Sequence, residues 1–546
     1  MRAQDYTLSL QCSSAAFEAY CKLSGMEDGE AKAAKANLGD FQKLGWYICL
    51  LCAVQEFLIL SQLSNMTFMI YGGYSPSVKN CGPVEFSGSD RERCLHLSAA
   101  RNSSSCEVGL DAQFHSVNYE FNLICEDAVL VKNSISLQMF GVMVGALVFG
   151  QLSDLFGRKR ILLLCLLGMF SCSMLSSLVT SFAAFNVARF FVMVFTGGQS
   201  SVHHVFIMEN LPKKHRVWTV TLISYSPNYI IFSGIAYFAG DWRALSRYSS
   251  LAANIPAMIL MCLAHESPRW FVQKGRLEEA RQVLVSIDRF NGTLTEKRLA
   301  EMDDVLDKEK MVIDSQRKRK RYSFVHLFYT WKLAGYILTL SFALMSASMI
   351  SYALMFNMDK LSGSIYLNSV FFGLFRYAMN LLVGLTDYFV PKAGRKLIHN
   401  VAMGFIFIAL FSVFLSTLLQ WENAAWITRT ATLSAAAMCS QLFLVSGIAT
   451  TELFPTAVRN LAVSFTAILN RAGSIVAPHL FYSALLWKPL PYFIMLAVIT
   501  FEMTSFNLVI PETKGTHMAD HMPRPEERIF AKKRKTTATT GLLESQ

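Results

Sequence analysis

The strongest constraint on this chain is an internal repeat half its own length. A Gly…Asp element leading into Gly-Arg-Lys stands at Gly150, Asp154, Gly157, Arg158 and Lys159, and again at Gly384, Asp387, Gly394, Arg395 and Lys396. Each copy is followed by Glu-x-x-Pro-x-x-x-Arg, first as Glu209, Pro212 and Arg216, then as Glu452, Pro455 and Arg459. The offset is about 235 to 245 residues, far beyond the period of solenoid units or propeller blades. Long apolar runs surround these elements. Two related membrane bundles that rock against each other around a shared path are therefore expected, an architecture that implies movement of a solute.

Composition supports a membrane chain. With 53% hydrophobic residues and 41 Phe in 546 residues, it is too apolar and too long for one soluble domain. Crossing a bilayer takes about 20 apolar residues. Twelve such runs are read, at 46–69, 133–152, 161–180, 183–208, 217–239 and 246–264, then at 333–356, 365–386, 398–419, 427–450, 461–485 and 490–510. The predicted fold is an all-α membrane protein with twelve transmembrane helices in two pseudo-symmetric six-helix bundles, residues 44–264 and 333–510. Lys and Arg crowd alternate connections: Arg158 to Arg160, Lys213 to Arg216, the 265–332 segment, Lys392 to Lys396, and Arg459. The positive-inside rule then places both termini in the cytoplasm of a multi-pass plasma-membrane protein. The net charge of +11 is accounted for by these loops and needs no nucleic acid.

Residues 1–43 read as a cytosolic arm, 265–332 as linker helices on the cytosolic face and 511–546 as a cytosolic tail. The loop 72–132 is predicted to face outward. Its Cys81, Cys94, Cys106 and Cys125 form an even set in an oxidising compartment, so two disulfides are expected, with three pairings open. No C-x-x-C pair supports a metal site there. Asn102-Ser103-Ser104 is a glycosylation acceptor in that loop; Asn291-Gly292-Thr293 is a matching sequence on the opposite side.

The motifs carry a family resemblance. Gly150-Gln-Leu-Ser-Asp154-Leu-Phe-Gly157-Arg158-Lys159 resembles the signature between spans two and three of the major facilitator superfamily. Glu266-Ser-Pro-Arg-Trp270, Glu452-Leu-Phe-Pro-Thr456-Ala-Val-Arg459-Asn460 and Pro511-Glu-Thr-Lys514-Gly, with Leu38-Gly-Asp-Phe-Gln42 before span one, resemble the organic cation, organic anion and carnitine transporters, solute carrier family 22. The similarity runs from about residue 38 to 515. Sugar porters share the Ser-Pro-Arg and Pro-Glu-Thr elements. Two departures stand out: His265 replaces the usual Pro before Glu266, and extra residues separate Asp387 from Gly394. The resemblance implies alternating-access transport of a small organic ion.

A charge inside a span is expensive unless it faces a partner or a cavity, so such residues are the binding candidates. Arg471, mid-way along span eleven in Leu469-Asn-Arg471-Ala-Gly473-Ser474, is the sharpest, and the small residues beside it would let a substrate approach. In the resembled family this position tends to be Asp in cation carriers and Arg in anion and carnitine carriers, which implies a carboxylate-bearing, anionic or zwitterionic substrate. A structural pair of Arg471 with Glu56 or Glu502 is the competing reading. Arg376 would add positive potential, and Tyr225, Tyr229, Tyr352 and Phe356 would supply aromatic walls. Arg189, Arg429, His203 and His204 are further intramembrane polar groups.

For gating, Asp154, Arg158, Lys159, Glu209 and Arg216 would form a breakable charge cluster in the first half, and Asp387, Arg395, Glu452 and Arg459 its counterpart in the second. The expected partners are the substrate ion, the lipid bilayer and an exchanged counter-ion. No phosphate-cradling loop, nucleophile triad or metal-ligand set is present, so neither an enzyme nor a cofactor is expected. The alternatives are an organic cation carrier of the same family and a non-transporting sensor or scaffold on the carrier fold. Facilitated diffusion, exchange and ion cotransport all stay open.

Asn102→Gln is expected to abolish a glycan mobility shift on electrophoresis, and Asn291→Gln to change nothing. A glycan on Asn291 would reverse the orientation, since the two sites lie on opposite sides.

Overall fold

The computed structural model describes residues 45–88, 90–103, 106, 108–212, 219, 223–316, 323–390, 394–421, 424–455, 457–514, 522 and 529. The 1–43 arm, Arg216, and the side chains of Asn102 and Asp387 lie outside the described residues.

The first half comprises α1 (Trp46–Gly72), then a small segment with β1 (Ser77–Cys81), β2 (Val84–Glu85), α2 (Asp90–Ser103), β3 (Val108–Asp111) and α3 (Val117–Glu120). It continues with α4 (Ala128–Phe156), α5 (Arg158–Ser176), α6 (Phe182–Asn210), α7 (Tyr225–Ala239) and α8 (Trp242–Leu263). Three linker helices follow, α9 (Pro268–Gln273), α10 (Leu277–Phe290) and α11 (Glu296–Gln316). The second half holds α12 (Trp331–Met355), α13 (Ile365–Phe389), α14 (Arg395–Leu418), α15 (Ala425–Leu453), α16 (Arg459–Val476, extended by a 3-10 turn Ala477–Leu485) and α17 (Leu490–Val509).

Every apolar run read from the sequence is occupied by one of these helices. Among the described residues, nine helices are long and apolar enough to cross a membrane by length and composition. The remaining runs hold α6, α7 and α8. Their polar content is the reason: Arg189, His203 and His204 lie in α6, Arg243, Arg247 and Asn254 in α8, and α7 is described over only 15 residues. Such helices are held inside a bundle by partners on neighbouring helices.

Local chemistry starts and stops these helices. Ser181 accepts from Ala184 N at 3.3 Å and divides the 161–208 stretch into α5 and α6. Asp241 caps α8 (2.7 Å to Ala244 N) and Thr330 caps α12 (3.2 Å to Leu333 N). Between α4 and α5 the chain turns on Gly157 at φ +106°, where a Cβ would also meet the Glu266 carboxylate.

The two halves pack through α7 along α13 and α4 along α16. At the end bearing residues 73–127, hereafter the loop end, both halves contribute to one apolar core that includes Phe68, Tyr71, Trp242, Met355, Phe356 and Phe372. At the end bearing Gly157 and Gly394, the motif end, the core divides. Leu51, Leu162, Phe206 and Met261 pack within the first half, while Leu327, Ile337, Phe454 and Phe506 pack within the second. The described side-chain hydrogen bonds between halves follow the same division. Lys132 Nζ donates to Phe356 O at 3.0 Å, Ser136 Oγ to Ile475 O at 2.7 Å, and Tyr482 Oη to Val129 O at 2.9 Å. The deepest joins Asn380 Nδ2 to Ser226 Oγ at 3.2 Å, about 22 Å along α13 from its loop-end start.

In the loop segment β2, β1 and β3 form an antiparallel sheet, and the disulfides are Cys81–Cys106 and Cys94–Cys125. Glu120 fixes this segment to α8, accepting from Trp242 Nε1 at 2.7 Å and from Arg243. Gln113 reaches the second half, accepting from Ile365 N at 3.0 Å. The linker helices enclose a small core of Trp270, Phe271, Leu284, Met302 and Leu306 and dock on the first half, with Trp270 Nε1 donating to Asp154 O at 3.0 Å. Asn291 is engaged there: its Oδ1 accepts from Tyr47 N at 3.0 Å.

The Arg243 guanidinium holds the Glu120 carboxyl below its usual range. A lowered folded-state pKa means the pair's contribution is complete above the ordinary carboxylate pKa and is lost as pH falls through the lowered one. Glu120 is 40% exposed, so the contribution is at most about 1 kcal/mol. Acidification is expected to speed proteolysis of the loop segment in the wild type, and Glu120→Gln to give that faster cleavage already at neutral pH. Identical pH profiles for the two would remove any role for the pair.

Candidate functional site

Midway through the bundle, helices of both halves bring polar and aromatic groups together. Tyr225, on α7, donates to Gln62 Oε1 of α1 at 3.0 Å, and Arg376 (α13) and Arg471 (α16) both lie close enough to act electrostatically on its hydroxyl. One turn on, the Tyr229 ring is 5.9 Å from the Arg376 guanidinium, 4.8 Å from the Phe372 ring, and its hydroxyl is 3.6 Å from Met355 Sδ. Tyr352 (α12) lies within range of both tyrosines. Phe356 is placed differently. It follows the last residue of α12, its ring stacks on Tyr352 at 5.8 Å, and its carbonyl receives Lys132 at the loop end.

The surroundings of Arg471 revise one sequence-based idea. Gly473 does not open space for a solute: a Cβ there would run into the Met345 carbonyl, so this glycine lets α16 approach α12. Neither acidic candidate pairs with Arg471. Glu502 is fully buried with its Oε1 3.0 Å from His399 Nε2, and Glu56 accepts from Asn228 Nδ2 at 3.0 Å. Arg376 Nε is buried without a partner. Two guanidinium groups thus share a tyrosine-lined site with no carboxylate paired to either among the described residues.

Arg189 and Arg429 each have partners on neighbouring helices. Arg189 donates to Asn65 O at 3.0 Å and Gln138 Oε1 at 3.4 Å and lies 4.1 Å from the Phe68 ring, so it ties α6 to α1 and α4. Arg429 Nε donates to Asn368 Oδ1 at 2.6 Å, near the start of α15. His203 is buried and His204 is not, as expected for adjacent residues pointing about 100° apart on a helix.

At the motif end of the first half, Arg158 is 6% exposed and lies 2.7 Å from Asp154 Oδ1 and 3.3 Å from Glu209 Oε1, and it donates to Ser153 O. Lys159 Nζ donates to Cys262 O at 3.0 Å. In the second half, Arg459 Nε donates to Phe454 O at 3.3 Å, while Arg459 Nη2 and Glu452 Oε2 are buried without partners among the described residues.

Sequence reasoning missed what organises both clusters. Glu266, after the last span of the first half, accepts from Arg158 N and Lys159 N at 3.0 Å each; Glu512, after the last span of the second, accepts from Arg395 N at 2.8 Å and Lys396 N at 3.1 Å. Each carboxylate thus caps the helix that opens with Gly-Arg-Lys, where unpaired N–H groups and the helix dipole favour an anion. Burial pushes Glu266 up against the N–H groups of Ser267, Lys159 and Arg158. Glu512 is also raised by burial, but four backbone N–H donors hold it below its usual range. The available signal was a Glu at the corresponding place in each half, in Glu-Ser-Pro-Arg and in Pro-Glu-Thr. His265 has a reason as well: its N–H donates to Tyr47 Oη at 3.0 Å, a bond that Pro has no hydrogen to make.

The profile of the family "Sugar (and other) transporter" matches residues 70–521. Organic cation/carnitine transporter 2 of Homo sapiens is 27% identical over 475 residues, covering 84% of this chain and 79% of that protein. Solute carrier family 22 member 6 of Pseudopleuronectes americanus is 29% identical over 444 residues, covering 78% and 75%. The organic cation transporter protein of Drosophila melanogaster is 27% identical over 426 residues, covering 76% and 74%. Among solved structures, the inward open conformation of the xylose transporter XylE from E. coli superimposes with a TM-score of 0.59 at 17% identity, covering 86% of this chain and 97% of that one. The fold is that of the major facilitator superfamily.

Removing either capping carboxylate is expected to lower stability. Glu266→Ala and Glu512→Ala should each cost about 1–2 kcal/mol, and the Gln variants less because they retain a neutral acceptor. Thermal unfolding of the detergent-solubilised protein measures this; an unchanged midpoint in both Ala variants would show that the caps contribute nothing.

Proposed function

The chain belongs to the sugar (and other) transporter family, and from that premise we propose that this membrane carrier moves a small organic ion bearing a carboxylate. Arg471 and Arg376 receive the carboxylate, and Tyr225, Tyr229 and Tyr352 wall the path. The supporting observation is the pair of guanidinium groups around Tyr225, both without an acidic partner while Glu502 faces His399 and Glu56 faces Asn228. A substrate carboxylate supplies the missing charge and can take Arg471 in two parallel hydrogen bonds.

In this reading the motif end and both termini face the cytoplasm of a plasma-membrane protein, and Asn102 faces outward. The shared core at the loop end and the divided core at the motif end correspond to a state open to the cytoplasm. Arg158 with Asp154 and Glu209, and Arg459 with Glu452, are the gate: their charges lie where the halves meet when the carrier closes inside, and weak, breakable pairs suit a two-state equilibrium. A counter-ion exchanged through the same site would use the same arginines.

Arg471→Lys is expected to weaken carboxylate uptake because one ammonium cannot reproduce the bidentate geometry. Arg471→Ala is expected to reduce it by about 2–5 kcal/mol, the cost of leaving a desolvated carboxylate unpaired. Uptake of a carboxylate, a zwitterion and a quaternary ammonium solute into proteoliposomes at matched protein density measures this. Intact carboxylate uptake in Arg471→Ala would assign Arg471 to structure, preferential uptake of the quaternary ammonium solute would assign the chain to cation carriers, and no saturable uptake of any solute would favour a sensor.

A further inference from the structure

Glu56 stands ten residues after Trp46, about 15 Å into α1. Its carboxylate is half-buried and accepts one hydrogen bond, from Asn228 Nδ2 at 3.0 Å; no cationic side chain pairs with it among the described residues. The neighbouring groups are also oxygen acceptors. Asn228 is fully buried, and its Nδ2 also donates to Ser224 O at 3.2 Å, which orients the amide and leaves Oδ1 without a donor. Gln55 is 4% exposed; its Nε2 donates to Ile223 O at 3.2 Å, and its Oε1 is buried and unpartnered. Ser224 Oγ is buried and unpartnered as well. A carboxylate, two amide oxygens and a hydroxyl therefore lie along one seam between α1 and α7.

Buried acceptors left unpaired are costly, and a carboxylate among them favours a positive partner that answers several at once. A proton on Glu56 would satisfy at most one of them, whereas a hard metal ion takes several oxygens at once. A divalent ion is disfavoured because the seam offers a single carboxylate while Arg376 and Arg471 already make the adjoining site positive. From this arrangement we propose that Glu56, Gln55, Ser224 and Asn228 bind a monovalent metal cation of sodium size. The proposal rests on the carrier reading above and deepens it by naming a coupling ion. Asn228 and Tyr225 are one turn apart on α7, so a cation at Glu56 and a carboxylate at Arg471 would order the same helix, and each would raise the other's affinity by the same factor.

The test uses the purified full-length carrier in detergent. Its thermal midpoint is measured in sodium, potassium and choline chloride at equal ionic strength and fixed pH. A saturable rise specific to sodium is expected in the wild type. Ser224→Ala and Gln55→Ala should weaken it several-fold, and Glu56→Gln should abolish it. The two milder variants keep the test valid if Glu56→Gln fails to fold. Equal midpoints in the three salts would overturn the proposal. So would a midpoint that depends on pH and not on sodium, which would make Glu56 a proton site. Uptake of the carboxylate in each salt separates this proposal from the Arg471 reading. Carboxylate uptake without any sodium effect removes the cation site and leaves Arg471 in place; a sodium-specific rise without carboxylate uptake in any salt does the reverse.

Discussion

Hydrocarbon tolerates no uncompensated charge, and the interior of this carrier is ordered around that constraint. Arg189 is compensated by Asn65, Gln138 and the face of Phe68, and Glu502 lies 3.0 Å from His399, which also stacks on Phe506 at 3.6 Å. Each of these groups holds helices of one half together. Arg376, Arg471 and Glu56 differ, because the protein leaves part of their charge unanswered. In the carrier proposed above, a substrate carboxylate and a cation supply the missing partners.

The apolar core sets how the halves can move. At the loop end it is continuous across both, and polar bonds from Lys132, Ser136 and Gln113 cross with it. At the motif end each half is packed separately, and the carboxylates of Glu266 and Glu512 close each half internally on its own Gly-Arg-Lys helix. Bonds made within a half leave it rigid and free to rotate against the other, as alternating access around a central site requires. The linker helices follow the first half through Trp270 and Asn291, so they travel with it.

The long repeat, the apolar runs and the even cysteine set were legible in the chain because each depends on local pattern: a span needs about 20 apolar residues whatever its neighbours are. Arg471 could be singled out because an arginine in a span is anomalous by itself. What it faces could not. The competing pairs with Glu56 and Glu502 were equally open along the sequence, and only the packing of α14 on α17 and α1 on α7 directs those carboxylates to His399 and Asn228.

By itself, the sequence determined a two-bundle membrane carrier, its helices and the residue types in its path, because hydropathy and helix signals act over one or two turns. The tertiary structure decided which cysteines join, that Gly473 serves helix packing, and that Glu266 and Glu512 cap distant helices. These are contacts between residues about 25 to 130 positions apart. Such pairings are fixed by how whole helices pack, and no local pattern records them.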